Sequence, residues 1–145
     1  ITLQTLFCIL LPLVYGKMPA SIGIGLFLII GAFGIPVFAG HSGGMTHFAG
    51  NSGGYLFGFL VASLLTWNVK SQSRILRMAI VFGEFVVLQF LILTIGALWI
   101  SFELPNWNTF FDPFVLPLLI KACLGSIILE ALKGRSYRTQ PAQHM

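Results

Sequence analysis

Charged residues are scarce in this chain of 145 residues: 8% are Asp, Glu, Lys or Arg, and 57% are hydrophobic. Soluble domains carry about 25% charged residues, which they need to cover their surface with polar groups. The composition therefore excludes an ordinary water-soluble domain and points to a membrane protein. The length is sufficient for about five or six membrane spans of roughly 20 residues each, with short connections.

Cysteines are also scarce, and nucleotide-binding motifs are missing. The two cysteines, Cys8 and Cys123, both lie in apolar runs, which favours packing over a disulfide framework or a metal site. The chain has no phosphate-binding loop of the GxxxxGK(S/T) type and no internal repeat. We therefore expect a protein that hydrolyses no nucleotide, carries no metal or other cofactor and binds no nucleic acid.

Apolar runs of helical length dominate what the chain does contain. They lie at residues 3–15, 20–38, 53–69, 78–102 and 113–132. Backbone polar groups in hydrocarbon must be satisfied within their own segment, so runs of this length predict helices. We expect an all-α polytopic membrane protein with a single transmembrane helical domain over residues 1–145. The short first run and the start at Ile1 instead of Met suggest one further helix before it.

The basic residues indicate how these helices are oriented. If all five runs cross the membrane, seven of the eight Lys and Arg residues fall on one side: Lys17, Lys70, Arg74, Arg77, Lys133, Arg135 and Arg138. The opposite connections, residues 39–52 and 103–112, contain neither Lys nor Arg. Basic loops are retained in the cytoplasm, so this pattern predicts a cytoplasmic C-terminus.

A glycine-rich segment separates the second and third apolar runs. It reads GIPVFAGHSGGMTHFAGNSGGYLFGF and holds eight of the 16 glycines. Gly50, Gly54 and Gly58 recur every four residues, a spacing that lets helices pack closely in lipid. Glycines ahead of that helix allow positive φ and close approach of the backbone to another molecule. With the polar residues among them they predict an outward-facing loop that meets a small polar ligand, including Ser42, Thr46, Asn51, Ser52 and Gly53.

His41 and His47 lie in the same loop and raise two other possibilities. Two histidines six residues apart, without a nearby Cys or carboxylate, favour exposed loop residues over a metal site. A small intramembrane enzyme that uses both histidines and Lys121 is a second possibility. It requires acid–base partners within hydrogen-bond reach of one another, which the spacing along the chain does not favour.

Lys121 lies inside the last apolar run, eight residues after Pro113 and therefore about 12 Å along the helix. A lysine at the centre of the hydrocarbon costs roughly 2.5–3.5 kcal/mol. Its side chain can extend to the headgroups, but we favour a side chain that faces a cavity and balances an anionic ligand. Amide and hydroxyl groups above one ammonium suit a small, elongated molecule with a polar head and a carboxylate tail.

Four stretches, ITLQTL, GIPVFAG, GGYLFGF and PFVLPLLIKA, resemble in order and spacing the BioY family. This family comprises the biotin-specific substrate-binding components of energy-coupling factor transporters. The resemblance covers the chain from Ile1 to about Lys133 and implies a six-helix bundle of which about five helices are present. It implies a multi-pass protein of the prokaryotic cell membrane that captures biotin without catalysis. Such proteins act alone or with a transmembrane coupling subunit and cytosolic ATPases.

The resemblance also implies site residues. Lys121 meets the valerate carboxylate of biotin, and Gln4 and Tyr55 lie near the pocket. Polar groups of the loop face the ureido ring, among them Asn51, Ser52 and Gly53. The family usually has an Asp three residues before the lysine, where this chain has Leu118. Lys121 then depends more on its ligand for charge balance, so a component for another carboxylated vitamin is the alternative.

Overall fold

The computed structural model describes residues 3–67, 73–101 and 112–138, with side chains described for residues 3–67, 73–100 and 114–132. These ranges contain helices and no β-strand, apart from one isolated bridge between Phe38 and Ser42. The helices are α1 (Gln4–Tyr15), α2 (Lys17–Ala32), α3 (Thr46–Ala49), α4 (Gly53–Leu65), α5 (Arg74–Ser101) and α6 (Asp112–Arg138). The prediction of an all-α fold is therefore confirmed.

The bounds of the helices differ from the predicted runs at several ends: α4 ends at Leu65, four residues before the predicted end, and α6 continues to Arg138, six residues beyond it. Helix α2 begins at Lys17 and ends at Ala32, six residues before the predicted end. It stops there because Gly34 adopts a φ of 97°, which is not helical. Pro36, which follows, has no backbone N–H to continue the helix. Helix α5 begins at Arg74, four residues earlier than predicted, because Arg is a good helix former whose charged head can reach water.

Several sequence predictions concern residues outside these ranges. The predicted connection 103–112 lies outside them except for the backbone of its last residue, and Lys70 lies outside them as well. The same is true of the side chains of Lys133, Arg135 and Arg138. Whether residues 1–145 form a single domain stays a prediction.

Contacts along the chain show that the long helices alternate in direction. The hydroxyl oxygens of Ser21 and Ser63 lie 2.9 Å apart and join the start of α2 to the end of α4. Gly54, near the start of α4, packs against Gly96, near the end of α5. The bundle therefore has a basic end, defined by Lys17, Arg74 and Arg77, and a loop end, defined by residues 33–52.

Two buried carboxylates connect helices at the basic end. Glu130 on α6 is 7% exposed and accepts two hydrogen bonds from the Arg77 guanidinium of α5, one of them at 2.9 Å from Nη2 to Oε2. Arg74 adds a second, exposed cation 3.5 Å from the same carboxylate. Glu84 of α5 accepts a hydrogen bond of 2.8 Å from the backbone N–H of Trp67, just after α4. Helices α4, α5 and α6 are thus joined at this end by charged groups that are shielded from solvent.

The exposed surface of the bundle is strongly apolar. On α2 and at the residue after it, large hydrophobic side chains spaced three or four residues apart are more than half exposed: Ile22, Leu26, Ile29 and Phe33. Soluble monomers rarely expose continuous apolar patches of this kind, whereas lipid-facing helices do. In the described ranges, Arg74–Ile100 and Phe114–Leu132 are long and apolar enough to span a membrane, and α1, α2 and α4 are apolar but shorter.

Gly54→Ala tests the close packing of α4 on α5. A methyl group at Gly54 lies 2.9 Å from the Ile95 carbonyl oxygen and 3.0 Å from the Gly96 Cα, closer than normal contact, whereas Gly25 faces open space. Ala otherwise favours a helix over Gly by about 1 kcal/mol. We expect Gly54→Ala to lower the thermal unfolding midpoint in detergent, and Gly25→Ala to leave it unchanged or raise it. Equal midpoints for the two variants contradict this packing.

Candidate functional site

A cavity of about 540 Å³ lies toward the loop end of the bundle, bounded by α1, α4, α5, α6 and the glycine-rich segment. Its volume falls within the range of about 300–1,000 Å³ that is typical of small-molecule sites. Most of the lining is apolar. The polar groups in the lining, which lead us to call it the polar cavity, are Gln4, Thr5, Ser42, His47, Ser52, Tyr55, Gln89 and Lys121.

Lys121 contributes the charge of the polar cavity. Lys121 is 8% exposed. Its ammonium donates a hydrogen bond of 2.8 Å to the hydroxyl oxygen of Thr5, which lies on α1 in the cavity wall. The side chain therefore reaches a neighbouring helix instead of extending toward the headgroups. No Asp or Glu side chain in the described ranges lines the cavity, so the positive charge lacks a counter-ion within it. An anionic ligand group is the partner that such a site favours.

Tyr55 depends on a glycine of the adjacent helix for its position. A side chain at Gly96 of α5 would overlap the ring of Tyr55, so only glycine leaves room for this ring between the helices. The ring is then packed on one side and borders the polar cavity on the other. The packing of the ring against Gly96 therefore positions the phenol group of Tyr55 on the cavity wall.

The loop end is closed by the glycine-rich segment, which is packed by its own aromatic side chains. The Phe38 ring lies against Gly31 and makes edge contacts with Phe27, at a centroid distance of 5.6 Å, and with Phe48, at 5.8 Å. Gly44 adopts a φ of 109° and donates a backbone hydrogen bond of 2.7 Å to the Gly31 carbonyl. The segment is therefore an ordered cover of the cavity, anchored on the end of α2.

The structure brings together four of the six residues that the sequence predicted for the site. These four line the polar cavity: Gln4, Ser52, Tyr55 and Lys121. Asn51 is exposed and does not line it. Ser42 and Ser52 of the glycine-rich segment line the cavity, whereas Asn51, in the same turn as Ser52, does not.

Gly53 also lies outside the lining, for a different reason. The sequence placed it before the helix, but it is the first residue of α4 and is buried. A methyl group there would overlap the Phe48 carbonyl oxygen and lie 3.0 Å from Trp99 Nε1. Gly53 therefore permits close packing, the role that the sequence analysis gave to Gly54 and Gly58.

Thr5 and Gln89 were missed by the sequence analysis. Thr5 follows Gln4 in the first turn of α1 and accepts the hydrogen bond from Lys121. Gln89 is 4% exposed, and its Nε2 has no hydrogen-bond partner among the residues described. The signal for Gln89 was present, because an amide in the middle of a long apolar helix is costly in a membrane.

The two histidines differ in their surroundings. His41 is exposed, as predicted, but His47 is half-buried, lines the polar cavity and packs its ring 6.0 Å from that of Phe38. Within the described ranges, no group of three or more His, Cys, Asp and Glu side chains converges on a point that could hold a metal ion. His47 is thus an additional polar group of the cavity wall.

The model of the BioY family matches residues 1–138. A probable biotin transporter BioY of Pyrococcus horikoshii is 35% identical over 140 residues, which cover 94% of this chain and 82% of the relative. The biotin transporter BioY2 of Lactococcus lactis subsp. cremoris is 35% identical over 138 residues, 91% of this chain and 75% of the relative. The fold is similar to the crystal structure of a biotin S-component from an ECF-type ABC transporter. That match has a TM-score of 0.69 and 27% identity, and covers 92% of this chain and 75% of the other.

Lys121→Met tests whether the ammonium is costly to the empty protein. Methionine fills a similar volume without a charge, and Lys121 is buried near apolar groups and donates one hydrogen bond to Thr5 Oγ1. We expect the unliganded variant to be more stable by about 1–2 kcal/mol, measured as unfolding in detergent. Lys17→Met, at an exposed position of the basic end, is the control and leaves stability unchanged. A less stable Lys121→Met protein contradicts the interpretation and makes the lysine structural.

Proposed function

We propose that this chain, which belongs to the BioY family, is a substrate-binding component that mediates the uptake of biotin across the membrane. The family consists of transport proteins and not of enzymes. The chain then performs no chemistry on its substrate. It binds biotin on one side of the membrane and releases it on the other.

The observation that carries this proposal is the buried ammonium of Lys121 in a cavity whose described lining contains no acidic side chain. Biotin carries one carboxylate at the end of an aliphatic tail, which matches a single cation. Thr5 holds the ammonium at 2.8 Å and limits its freedom before the ligand arrives. A carboxylate that approaches therefore gains a charge-assisted hydrogen bond without first ordering the lysine.

The remaining lining suits the rest of the biotin molecule. The fused rings and the aliphatic tail need apolar walls, which Phe38, Phe59 and Phe114 supply among others. The polar groups of the ligand need hydrogen-bond partners, and we propose that Gln4, Ser52 and Tyr55 contact the ligand from the loop end of the cavity. Asn51 and Gly53 then act indirectly, through the shape of the loop and the start of α4.

Leu118 bears on the choice between biotin and another vitamin. It lines the polar cavity and is 8% exposed, three residues before Lys121 on α6. An apolar residue there leaves the ammonium to be neutralised by the ligand itself. The unneutralised ammonium favours a carboxylate, whichever vitamin carries it. The alternative to be tested is therefore that this chain is the substrate-binding component for another carboxylated vitamin.

We further propose that the protein lies in the prokaryotic cell membrane with its basic end and C-terminus in the cytoplasm. Lys17, Arg74 and Arg77 at one end of the bundle support this orientation. The polar cavity then lies toward the outer side of the membrane, beneath the glycine-rich segment. The similar S-component belongs to an ECF-type ABC transporter. By analogy we propose a transmembrane coupling subunit and cytosolic ATPases as partners that supply the energy.

Lys121→Ala tests the proposed site. Loss of a hydrogen bond to a charged group costs about 1.5–3 kcal/mol, so we expect biotin to bind roughly 10- to 150-fold more weakly to the purified variant. Uptake by cells that depend on external biotin falls in parallel. Lys17→Ala is the matched control, since it removes a lysine from the basic end, and its affinity for biotin is unchanged.

Equal biotin affinity for Lys121→Ala and Lys17→Ala refutes the role given to Lys121. Equilibrium binding of the wild-type protein to a panel of carboxylated vitamins separates the two candidate functions. If biotin is the vitamin that binds, the result supports a biotin component. If biotin does not bind and another vitamin of the panel does, the result supports a component for that vitamin.

A further inference from the structure

Gln89 is the polar group of the cavity that lies deepest in an otherwise apolar helix. It lies on α5 twelve residues before Ser101, so about 18 Å along the helix from the loop end, in the middle of the bundle. Its flanking residues, Leu88 and Phe90, are apolar. The side chain nevertheless borders the polar cavity and is 4% exposed.

The energetics of this amide point to a ligand. Its Nε2 is buried and has no hydrogen-bond partner among the described residues. A buried amide without partners destabilises a protein, whereas Met or Leu at the same place would pack without that cost. Gln4 Nε2, in the same lining, is likewise buried without a hydrogen-bond partner among the described residues. The Ser63 hydroxyl, by contrast, bonds to Ser21 and to the Leu60 carbonyl. A molecule in the cavity can supply the partner that the described residues do not give to the amide of Gln89.

The chemistry of a primary amide defines what that partner is. A glutamine side chain presents an N–H donor beside a C=O acceptor in one plane. A urea presents a C=O acceptor beside an N–H donor with the same spacing, so the two groups can form two parallel hydrogen bonds. A carboxylate offers acceptors only, and Lys121 is the group that suits it.

We propose that Gln89 pairs with the urea group of the bound ligand and makes the site selective for a urea over groups with a different hydrogen-bond pattern. This inference rests on the proposed function and assigns to Gln89 the end of biotin that Lys121 does not bind. Selectivity follows because a ligand without the matching donor and acceptor leaves the buried amide unpaired.

The test compares biotin with 2-iminobiotin, in which a guanidine replaces the urea and is positively charged when protonated. Wild-type protein, Gln89→Met and Gln89→Glu are purified in detergent as full chains, and equilibrium binding of both ligands is measured. We expect Gln89→Met to bind biotin roughly 10- to 100-fold more weakly. We expect Gln89→Glu to prefer 2-iminobiotin to biotin, the reverse of the wild-type order, because a carboxylate pairs with a guanidinium.

Thr94→Val is the matched control on the same helix. Its hydroxyl donates to the Phe90 carbonyl of its own helix and does not line the cavity, so both affinities stay at the wild-type values. The ratio of the two affinities is measured on one preparation, and an unfolded fraction therefore cancels from it. An unchanged ratio in Gln89→Glu overturns the inference even if both ligands bind more weakly, since Gln89 is then only structural.

The outcomes also separate this inference from the proposed function. If the wild-type protein binds biotin and both Gln89 variants keep its affinity and its preference, the inference fails and the proposed function stands. If the wild-type protein binds no biotin, the proposed function fails and the assignment of Gln89 to a urea fails with it.

Discussion

The hydrogen bond from the Lys121 ammonium to the Thr5 hydroxyl is the interaction on which the site depends. The ammonium is a cation inside an apolar bundle. The hydroxyl that lies 2.8 Å from it is neutral and cannot cancel its charge. The same contact joins the first turn of α1 to α6 and so defines one wall of the cavity. One side chain therefore carries the charge that attracts an anion and makes the contact that positions this charge against α1.

The glycines serve this arrangement in two different ways. Gly96 leaves room for the Tyr55 ring, and Gly31 leaves room for Phe38. In both places the absence of a side chain on one element allows a large ring from another to border or cover the cavity. In the loop, Gly44 instead uses positive φ to fold the segment back onto α2. Close packing and loop geometry together produce a cavity with a small number of polar groups in fixed positions.

The sequence predicted the long helices, and four of the six residues that it assigned to the site line the cavity. Apolar runs between turn residues predicted the long helices, and a lysine inside one of them predicted a cavity with a charge. Thr5 could not be predicted, because its contact with Lys121 joins residues 116 positions apart. The role of Gly53 was predicted wrongly because its close contacts with Phe48 and Trp99 are tertiary contacts, which the local sequence does not encode.

The ion pair of Arg77 with Glu130 has a mechanical consequence. It fixes α5 to α6 at the end of the bundle remote from the glycine-rich segment. Lys121 lies nine residues from Glu130 along α6, or about 14 Å. A tilt of α6 by about 10° around that fixed point displaces the ammonium by about 2 Å, enough to break a hydrogen bond. The contact between Lys121 and Thr5 is therefore sensitive to the angle at which α6 leaves this ion pair.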